Sequence, residues 1–245
     1  MKKYRTVFIS DVHLGSQSAD PTYLLEFLKT FECEKLYLVG DIIDGWALHK
    51  KYYWPQDHND VIQKLLRKAR KNTEIIYIPG NHDEIMKPYS DMQLGNIRIA
   101  LSDIHKTANG IKLLVVHGDQ FDVVVRNAKW LAHIGSYAYD VLIKVNSFVS
   151  WVRKMMGKPY WSLSKWIKHK VKTAVNFVGE FENTLTNYAS KQGVDGIVCG
   201  HIHTPKVCKI NNMYYYNCGD WVESHTAIVE NLDGTMELVT WKKKK

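Results

Sequence analysis

Carboxylate, imidazole and amide side chains recur in five short blocks along the chain. In chain order the blocks are Asp11-Val12-His13, Gly40-Asp41-Ile42-Ile43-Asp44, Gly80-Asn81-His82-Asp83, His117-Gly118-Asp119 and Gly200-His201-Ile202-His203. These donors together suit two borderline or hard divalent cations, such as Mn²⁺, Mg²⁺, Fe²⁺ or Zn²⁺. Two cations about 3.5 to 4 Å apart polarise a phosphoryl oxygen and activate a shared water. The blocks therefore predict hydrolysis of a phosphate ester or anhydride.

Short apolar runs, rich in β-branched and aromatic residues, precede these blocks and predict buried strands. The predicted strands cover Thr6 to Ser10, Lys35 to Val39, Glu74 to Ile78, Ile111 to Val116 and Val194 to Cys199. Helical patterns lie between them at Tyr23 to Phe31 and Val61 to Lys71, which makes the predicted fold class α/β. In open α/β sheets the ligand site lies at the carboxyl ends of the strands, so the five blocks should meet there.

Two further regions have patterns of their own. Residues Val207 to Trp241 alternate in short segments around Asn211-Asn212 and Asp233-Gly234, which predicts tight hairpins. Residues 122–191 contain no strand-like run, and we predict a helical cap inserted into a core formed by residues 1–121 and 192–245. The middle of this insertion, Lys144 to Lys172, holds eight basic residues and no acidic one.

Composition narrows the class of protein. The chain has 245 residues, 45% of them hydrophobic, which is enough to bury a sizeable core. A net charge of +8 predicts an anionic partner. The four cysteines form no CxxC pair, which indicates free thiols and a cytoplasmic location. The first apolar run is too short for a signal peptide, and no stretch is apolar enough to span a membrane, although attachment to a membrane surface stays open.

The five blocks together resemble the signature of the calcineurin-like metallophosphoesterases, which reads DxH, GDxxD, GNHD or GNHE, a later His, and GHxH. The resemblance implies a sandwich of two mixed β-sheets flanked by helices. It also implies one metal held by Asp11, His13, Asp41 and His203, and a second held by Asp41, Asn81, His117 and His201. Asp41 would bridge the two metals. His82 would lie over the phosphate as general acid or oxyanion stabiliser, oriented by Asp44, with Asn81 and His201 also meeting the substrate.

Other features resemble the UDP-2,3-diacylglucosamine diphosphatases within that class. These features are Ser10 to Gly15, the insertion between His117 and His201, and Cys218-Gly219-Asp220-Trp221. The resemblance implies release of lipid X and UMP, use of Mn²⁺, and peripheral attachment to the inner face of the membrane. It also implies a cap over the acyl chains, where we place Lys165, Lys168 and Lys172 as substrate-binding residues. His82 departs from that family, whose usual GNRD block has Arg at this position.

Three other functions compete with this interpretation. A phosphodiesterase or phosphomonoesterase acting on a nucleotide or phosphoprotein would use a GNHD block equally well. A nucleic-acid enzyme is less favoured, because Phe148, Trp151 and Met155 place an apolar face beside the lysines, as in interfacial helices. A metal-bound scaffold without activity would require a damaged ligand set, and no ligand is missing. The native metal, the oligomeric state and any role of the Lys242 to Lys245 tail stay open.

Overall fold

The structure is a computed structural model that describes residues 1–121 and 178–242. The chain divides into two compact units, one of Met1–Asp119 with Leu185–Lys245 and the other of Gln120–Thr184. Within the second unit, residues 120–121 and 178–184 are described, and residues 178–184 are helical. The bounds of the predicted cap, 122–191, stay a prediction, and most of that segment lies outside the described residues. No helix in the described part is long and apolar enough to cross a membrane.

The first unit is built on two β-sheets. Its strands are β1 Lys2–Ile9, β2 Phe31–Val39, β3 Glu74–Ile78, β4 Gln93–Leu94, β5 Ile97–Ile99, β6 Asp103–Lys106, β7 Lys112–Val115, β8 Gly196–Cys199, β9 Lys206–Ile210, β10 Met213–Asn217, β11 Thr226–Glu230 and β12 Met236–Thr240. In the described residues, one sheet has seven strands in the order β12-β11-β1-β2-β3-β5-β4, and the other has five in the order β6-β7-β8-β10-β9.

Both sheets are mixed, as predicted. In the first, β1, β2, β3 and β5 run parallel, while β11, β12 and β4 join antiparallel. In the second, β7, β8 and β10 run parallel, with β6 and β9 antiparallel at the edges. The α/β fold class is therefore confirmed. The parallel strands lie at the centre of each sheet, so their carboxyl ends open on a common edge.

Helices connect several of the strands. They are α1 Pro21–Thr30, α2 Gly45–Lys50 and α3 Gln56–Arg70, with 3-10 turns at Glu84–Tyr89 and Asp119–Phe121 and a further helical stretch at 178–191. Helix α1 begins at Pro21 because proline suits the first helical position and the Asp20 carboxylate accepts the Tyr23 N–H (3.4 Å). It ends one residue earlier than predicted, since Phe31 is extended and starts β2.

The core has two layers because the first sheet is buried on both faces. Val7, Leu36 and Ile75 pack in one cluster with Leu28 of α1 and Leu65 of α3. Phe8, Tyr37 and Ile76 pack in the other with Leu113, Val115, Val198 and Tyr216 of the second sheet. Neighbouring residues of one strand thus enter different layers, which explains why the strand sequences are apolar throughout rather than alternating.

The two predicted hairpin turns are present. Asn211 and Asn212 have φ of 50° and 65° between β9 and β10, and Gly234 has φ of 84° between β11 and β12. Asparagine and glycine tolerate positive φ better than other residues. The two-residue loop at Asn211 and Asn212 requires it, and the longer loop before β12 has it at Gly234. These hairpins add β9 to the edge of one sheet and β12 to the edge of the other.

Candidate metal centre

The five polar blocks leave the carboxyl ends of β1, β2, β3, β7 and β8. Backbone hydrogen bonds join the first two blocks, since the N–H groups of Asp11 and His13 donate to the carbonyls of Gly40 and Asp41 (3.0 and 2.9 Å). The Gly200 N–H in turn donates to the His117 carbonyl (3.1 Å). The strand pairing therefore continues into the loops and places residues 190 positions apart side by side, as at the His201 N–H to Asp11 Oδ2 bond (2.8 Å).

Asp11, His13 and His203 form the first cluster. Their ligand atoms all lie within 4.8 Å of one another. Asp11 Oδ1 is 3.0 Å from His203 Nε2 and 3.9 Å from His13 Nε2. Two ligand atoms at right angles around one ion, each about 2.1 Å from it, would be roughly 3 Å apart. The spacing of these three side chains suits a single bound cation.

Asp41, His117 and His201 form the second cluster, again with ligand atoms within 4.8 Å of one another. Asp41 Oδ2 is 3.3 Å from His117 Nε2 and 4.0 Å from His13 Nε2, so one carboxylate oxygen faces both clusters. The other oxygen, Oδ1, accepts a hydrogen bond from the His82 N–H (2.9 Å). Asp41 therefore occupies the position that a bridging carboxylate requires.

Several buried polar atoms in this region have no hydrogen-bond partner. Within the described residues, seven buried side-chain nitrogen and oxygen atoms lack one, and four of the seven belong to predicted metal ligands: Asp11 Oδ1, His13 Nε2, Asn81 Oδ1 and His117 Nε2. A buried polar atom without a partner is costly, so such a concentration indicates a ligand. The donor set of carboxylate oxygen, imidazole nitrogen and amide oxygen fits divalent cations.

Outer hydrogen bonds orient these ligands. His117 Nδ1 donates to the Val39 carbonyl (2.8 Å), which fixes the ring with its Nε2 directed at Asp41. Asp11 Oδ2 accepts from the Ser10 hydroxyl (2.6 Å) as well as from the His201 backbone, which leaves Oδ1 for the cluster. The candidate ligands are thus held in place by the protein itself.

The charges of the buried groups support the same interpretation. Burial opposes the ionised form of Asp41, but the imidazoles of His117 and His13 outweigh burial and lower the pKa of its carboxyl. Burial also opposes the charged form of His117, yet the Asp41 carboxylate raises the pKa of that imidazole to about 10. Asp11 is likewise ionised, since His203 lowers its pKa against the effect of burial. The buried carboxylates of Asp41 and Asp11 are therefore ionised, and their negative charges attract cations.

The backbone is strained where the candidate ligands lie. Asp11, His13, Asp41, His201 and His203 all have positive φ, between 50° and 71°. Residues other than glycine seldom adopt this conformation, and such residues cluster at functional sites. Gly80 shows a related constraint, because an added Cβ would overlap Asp41 Oδ1 and lie 2.6 Å from the His117 ring. Close approach of the backbone to the centre explains this glycine.

His82 lies beside both clusters. One of its ring nitrogens is within 4.8 Å of ligand atoms of His13 and Asp41. Its Nδ1 is 2.9 Å from Asp44 Oδ1, while Asp44 Oδ2 is 3.3 Å from His13 Nδ1. Burial opposes the charge on Asp44, but hydrogen bonds from both imidazoles lower the pKa of its carboxyl. Because Asp44 is an acceptor, Nδ1 of His82 donates and Nε2 is left for a substrate.

Not every predicted site residue is placed near the clusters. Lys165, Lys168 and Lys172 lie outside the described residues, so their predicted contact with substrate stays a prediction. Asn81 is in the loop after β3 with its Oδ1 buried.

Sequence reasoning missed a supporting residue, Asp83. Its carboxylate accepts from the N–H groups of Gly80 (2.6 Å) and Ile42 (2.9 Å) and so ties two of the blocks together. Its place in the Gly80 to Asp83 block was the available signal.

Comparison with known proteins agrees with this geometry. The family description "calcineurin-like phosphoesterase" matches residues 4–205, well over half of the chain. The chain belongs to this family. The resemblance inferred from the five blocks is thereby confirmed, and this calcineurin-like phosphoesterase is a metal-dependent hydrolase whose His and Asp clusters are typical of dinuclear centres.

Individual relatives of this phosphoesterase are distant. A protein of Blochmanniella pennsylvanica named UDP-2,3-diacylglucosamine hydrolase is 23% identical over 211 residues, covering 83% of this chain and 81% of that protein. The DNA polymerase II small subunit of Methanothermobacter thermautotrophicus is 27% identical over 161 residues, but these cover 53% of this chain and 33% of that protein. The structure of Vps29 from Entamoeba histolytica has 15% identity and a TM-score of 0.45, covering 97% and 99% of the two chains.

Proposed function

We propose that this phosphoesterase hydrolyses its substrate between two divalent cations, one held by Asp11, His13, Asp41 and His203 and the other by Asp41, Asn81, His117 and His201. The observation that carries the proposal is the position of Asp41 Oδ2, which faces His117 on one side and His13 on the other. Bound there, the cations would lower the pKa of a shared water and polarise a phosphoryl oxygen. We favour Mn²⁺ among the metals that fit these donors.

His82 is the proposed general acid. Asp44 accepts a hydrogen bond from Nδ1 and fixes the orientation of the ring, which leaves Nε2 for the substrate. A proton held at Nε2 would pass to the oxygen that leaves when the phosphorus–oxygen bond breaks. While it keeps that proton, the same Nε2–H would donate a hydrogen bond to a phosphoryl oxygen and stabilise its charge. In either case Asp44 acts through His82 and does not touch the substrate.

The proposed substrate is UDP-2,3-diacylglucosamine or a related nucleotide-linked lipid. Hydrolysis of its pyrophosphate gives UMP and lipid X. Support comes from the likeness to the Blochmanniella pennsylvanica hydrolase, which extends over four fifths of both chains rather than over the metal-binding blocks alone. The net charge of +8 agrees with an anionic substrate at an anionic surface.

A side-by-side assay tests this assignment. Purified protein loaded with Mn²⁺ is offered UDP-2,3-diacylglucosamine, UDP-sugars without acyl chains, cyclic dinucleotides and p-nitrophenyl phosphate. We expect the acylated nucleotide to have the highest kcat/KM, with UMP released in equal amount to the lipid. A higher kcat/KM on UDP-sugars or cyclic dinucleotides would contradict the lipid assignment while leaving the metal chemistry intact.

His82 itself favours a second candidate, a nucleotide phosphodiesterase or phosphomonoesterase. The diacylglucosamine enzymes that the chain resembles have Arg at this position, and the fixed His82–Asp44 pair offers a proton that an arginine does not release at neutral pH. A leaving group that requires protonation, such as an alkoxide, gains most from it. The same assay separates the two candidates.

A further inference from the structure

The first turn of helix α2 holds His82 through both its backbone and its ring. The Gly45 N–H donates to the His82 carbonyl (2.9 Å). Asp44 caps the helix by accepting the Ala47 N–H (2.8 Å), and the same oxygen binds His82 Nδ1 (2.9 Å). The Trp46 indole lies against the imidazole, with ring centroids 4.2 Å apart and planes 36° apart. One short segment therefore contacts His82 at its backbone, its ring edge and its ring face.

Core packing does not explain the presence of Trp46. None of the six residues of α2 is buried, and Trp46 is 46% exposed. A large aromatic side chain that is almost half exposed gains less from burial than a core residue does, and the contact that Trp46 makes with the His82 ring adds to its stabilisation. On another side of the imidazole, His13 packs edge-on with ring centroids 4.6 Å apart. Trp46, His13 and Asp44 therefore each contact the ring of His82.

We propose that Trp46 is a positioning residue for His82. Its indole holds the imidazole in the orientation from which Nε2 reaches the substrate, a role that rests on the proposed function of His82. Tryptophan suits this task because its flat ring covers an imidazole with only two side-chain torsions to restrain. A catalytic group displaced by about 1 Å loses on the order of a hundredfold in rate, so a residue that prevents the displacement affects turnover rather than binding.

Two substitutions test the proposal with metal-loaded protein on phenyl phosphate, whose phenolate leaving group gains from protonation by His82. Trp46→Ala should lower kcat by roughly ten- to a hundredfold while KM stays within about twofold and metal content is unchanged. Trp46→Phe keeps an aromatic face and should stay within about threefold of the parent kcat. Tyr52→Ala is the matched control, because Tyr52 follows the same helix and is 78% exposed, and its kinetics should not change.

A double-mutant cycle decides whether Trp46 acts through His82. In a His82→Ala background, adding Trp46→Ala should cause no further loss of kcat. An equal loss in both backgrounds, or a rise in KM at constant kcat, would overturn the positioning role. Loss of metal or of cooperative unfolding in Trp46→Ala, without rescue by Trp46→Phe, would also overturn it. If His82→Ala alone leaves the rate unchanged, the proposed function of His82 fails first and the role of Trp46 fails with it.

Discussion

The two oxygens of the Asp41 carboxylate have different partners. Oδ2 faces the imidazoles of His117 and His13, whereas Oδ1 accepts the backbone N–H of His82. One side chain therefore sets the spacing of the candidate ligands and also the position of the proposed general acid. The charge of Asp41 therefore matters for metal binding, and its Oδ1 matters in addition for the position of His82.

Replacing Asp41 with asparagine should remove most of the activity. The amide carries no charge, and one of its two atoms is a donor that repels a cation, so we expect bound metal to fall and kcat to drop by at least roughly a hundredfold. Metal content by atomic emission, measured together with the rate, tests this. The control is Asp60→Asn on α3, whose carboxylate accepts the Gln56 side chain away from the centre (2.8 Å). Full activity after metal removal would contradict the two-metal proposal.

Replacing His82 with alanine should lower kcat by roughly 10² to 10⁴, the usual contribution of a positioned general acid, with metal content nearly unchanged. Asp44→Asn should show a smaller loss, because the ring remains but its orientation weakens. His49→Ala is the matched control, since His49 is an exposed histidine of helix α2. An unchanged rate in His82→Ala would reduce His82 to a structural residue.

At the scale of elements, backbone hydrogen bonds tie the loops after the strands together, and the candidate ligands in them have a conformation that residues other than glycine seldom adopt. Five candidate ligands have positive φ, and the Asp83 carboxylate accepts backbone N–H groups from two blocks. A small change in the backbone of these loops should therefore move the candidate ligands and weaken metal binding.

Gly80→Ala tests how closely the backbone approaches the candidate ligands Asp41 and His117. The new methyl group would overlap Asp41 Oδ1 and press on the His117 ring, so metal affinity should fall by roughly ten- to a hundredfold and activity with it. Calorimetric titration with Mn²⁺ measures the effect. In the control, Gly179→Ala, the added Cβ has no atom of the described residues within 4 Å, and affinity should stay at the parent value. Equal affinity in both variants would contradict the close approach.

A buried charge cluster joins the two sheets away from the metal centre. Glu230 of β11 accepts hydrogen bonds from Arg5 of β1 and His105 of β6 (both 2.7 Å), and from the Ala108 N–H (2.8 Å). Burial disfavours the charge of Glu230, but these bonds lower the pKa of its carboxyl from 4.5 to about 2. A carboxyl with a lowered folded-state pKa stabilises the protein above its unfolded pKa, and this contribution is lost as the pH falls.

Glu230→Gln should lower the free energy of unfolding at neutral pH by about 1 to 3 kcal/mol, because an amide satisfies the donors less well than a carboxylate. The difference from the parent should shrink as the pH falls from about 5 towards 2, where the parent carboxyl becomes protonated. Urea unfolding at several pH values measures it. Glu237→Gln, an exposed residue of β12, is the control and should change stability by less than about 0.5 kcal/mol. A difference independent of pH would contradict the ionised cluster.

For the whole molecule, the open question is how a basic chain meets its substrate. The chain carries a net charge of +8, and eight of its basic residues fall between Lys144 and Lys172. These residues lie outside the described part of the structure, so their proposed contact with phosphates and anionic headgroups rests on the sequence. The contribution of these lysines to binding depends on their charge rather than on their shape. Neutral substitutions should therefore remove it without changing the metal ligands.

Replacing Lys165, Lys168 and Lys172 together with glutamine tests that contribution. At about 1 kcal/mol per lysine near an anionic surface, binding to anionic liposomes should weaken by roughly a hundredfold. Hydrolysis of the acylated nucleotide should fall, whereas p-nitrophenyl phosphate, which needs only the metals, should be hydrolysed at the parent rate. Equal loss on both substrates would indicate a folding role. No loss on either would favour the nucleotide phosphodiesterase.

The sequence by itself determined the fold class, the strands that carry the polar blocks and the family. It could do so because strands buried on both faces are apolar throughout, and because metal ligands directly follow them. Only the tertiary structure decided which oxygen of Asp41 faces which imidazole, that Trp46 covers His82, and that Glu230 joins the sheets. Each of these contacts depends on strand order and loop backbone across long separations, up to 225 residues between Arg5 and Glu230. Short elements such as β4, β5 and α2 were missed for a related reason, since their few residues are too short to show a period.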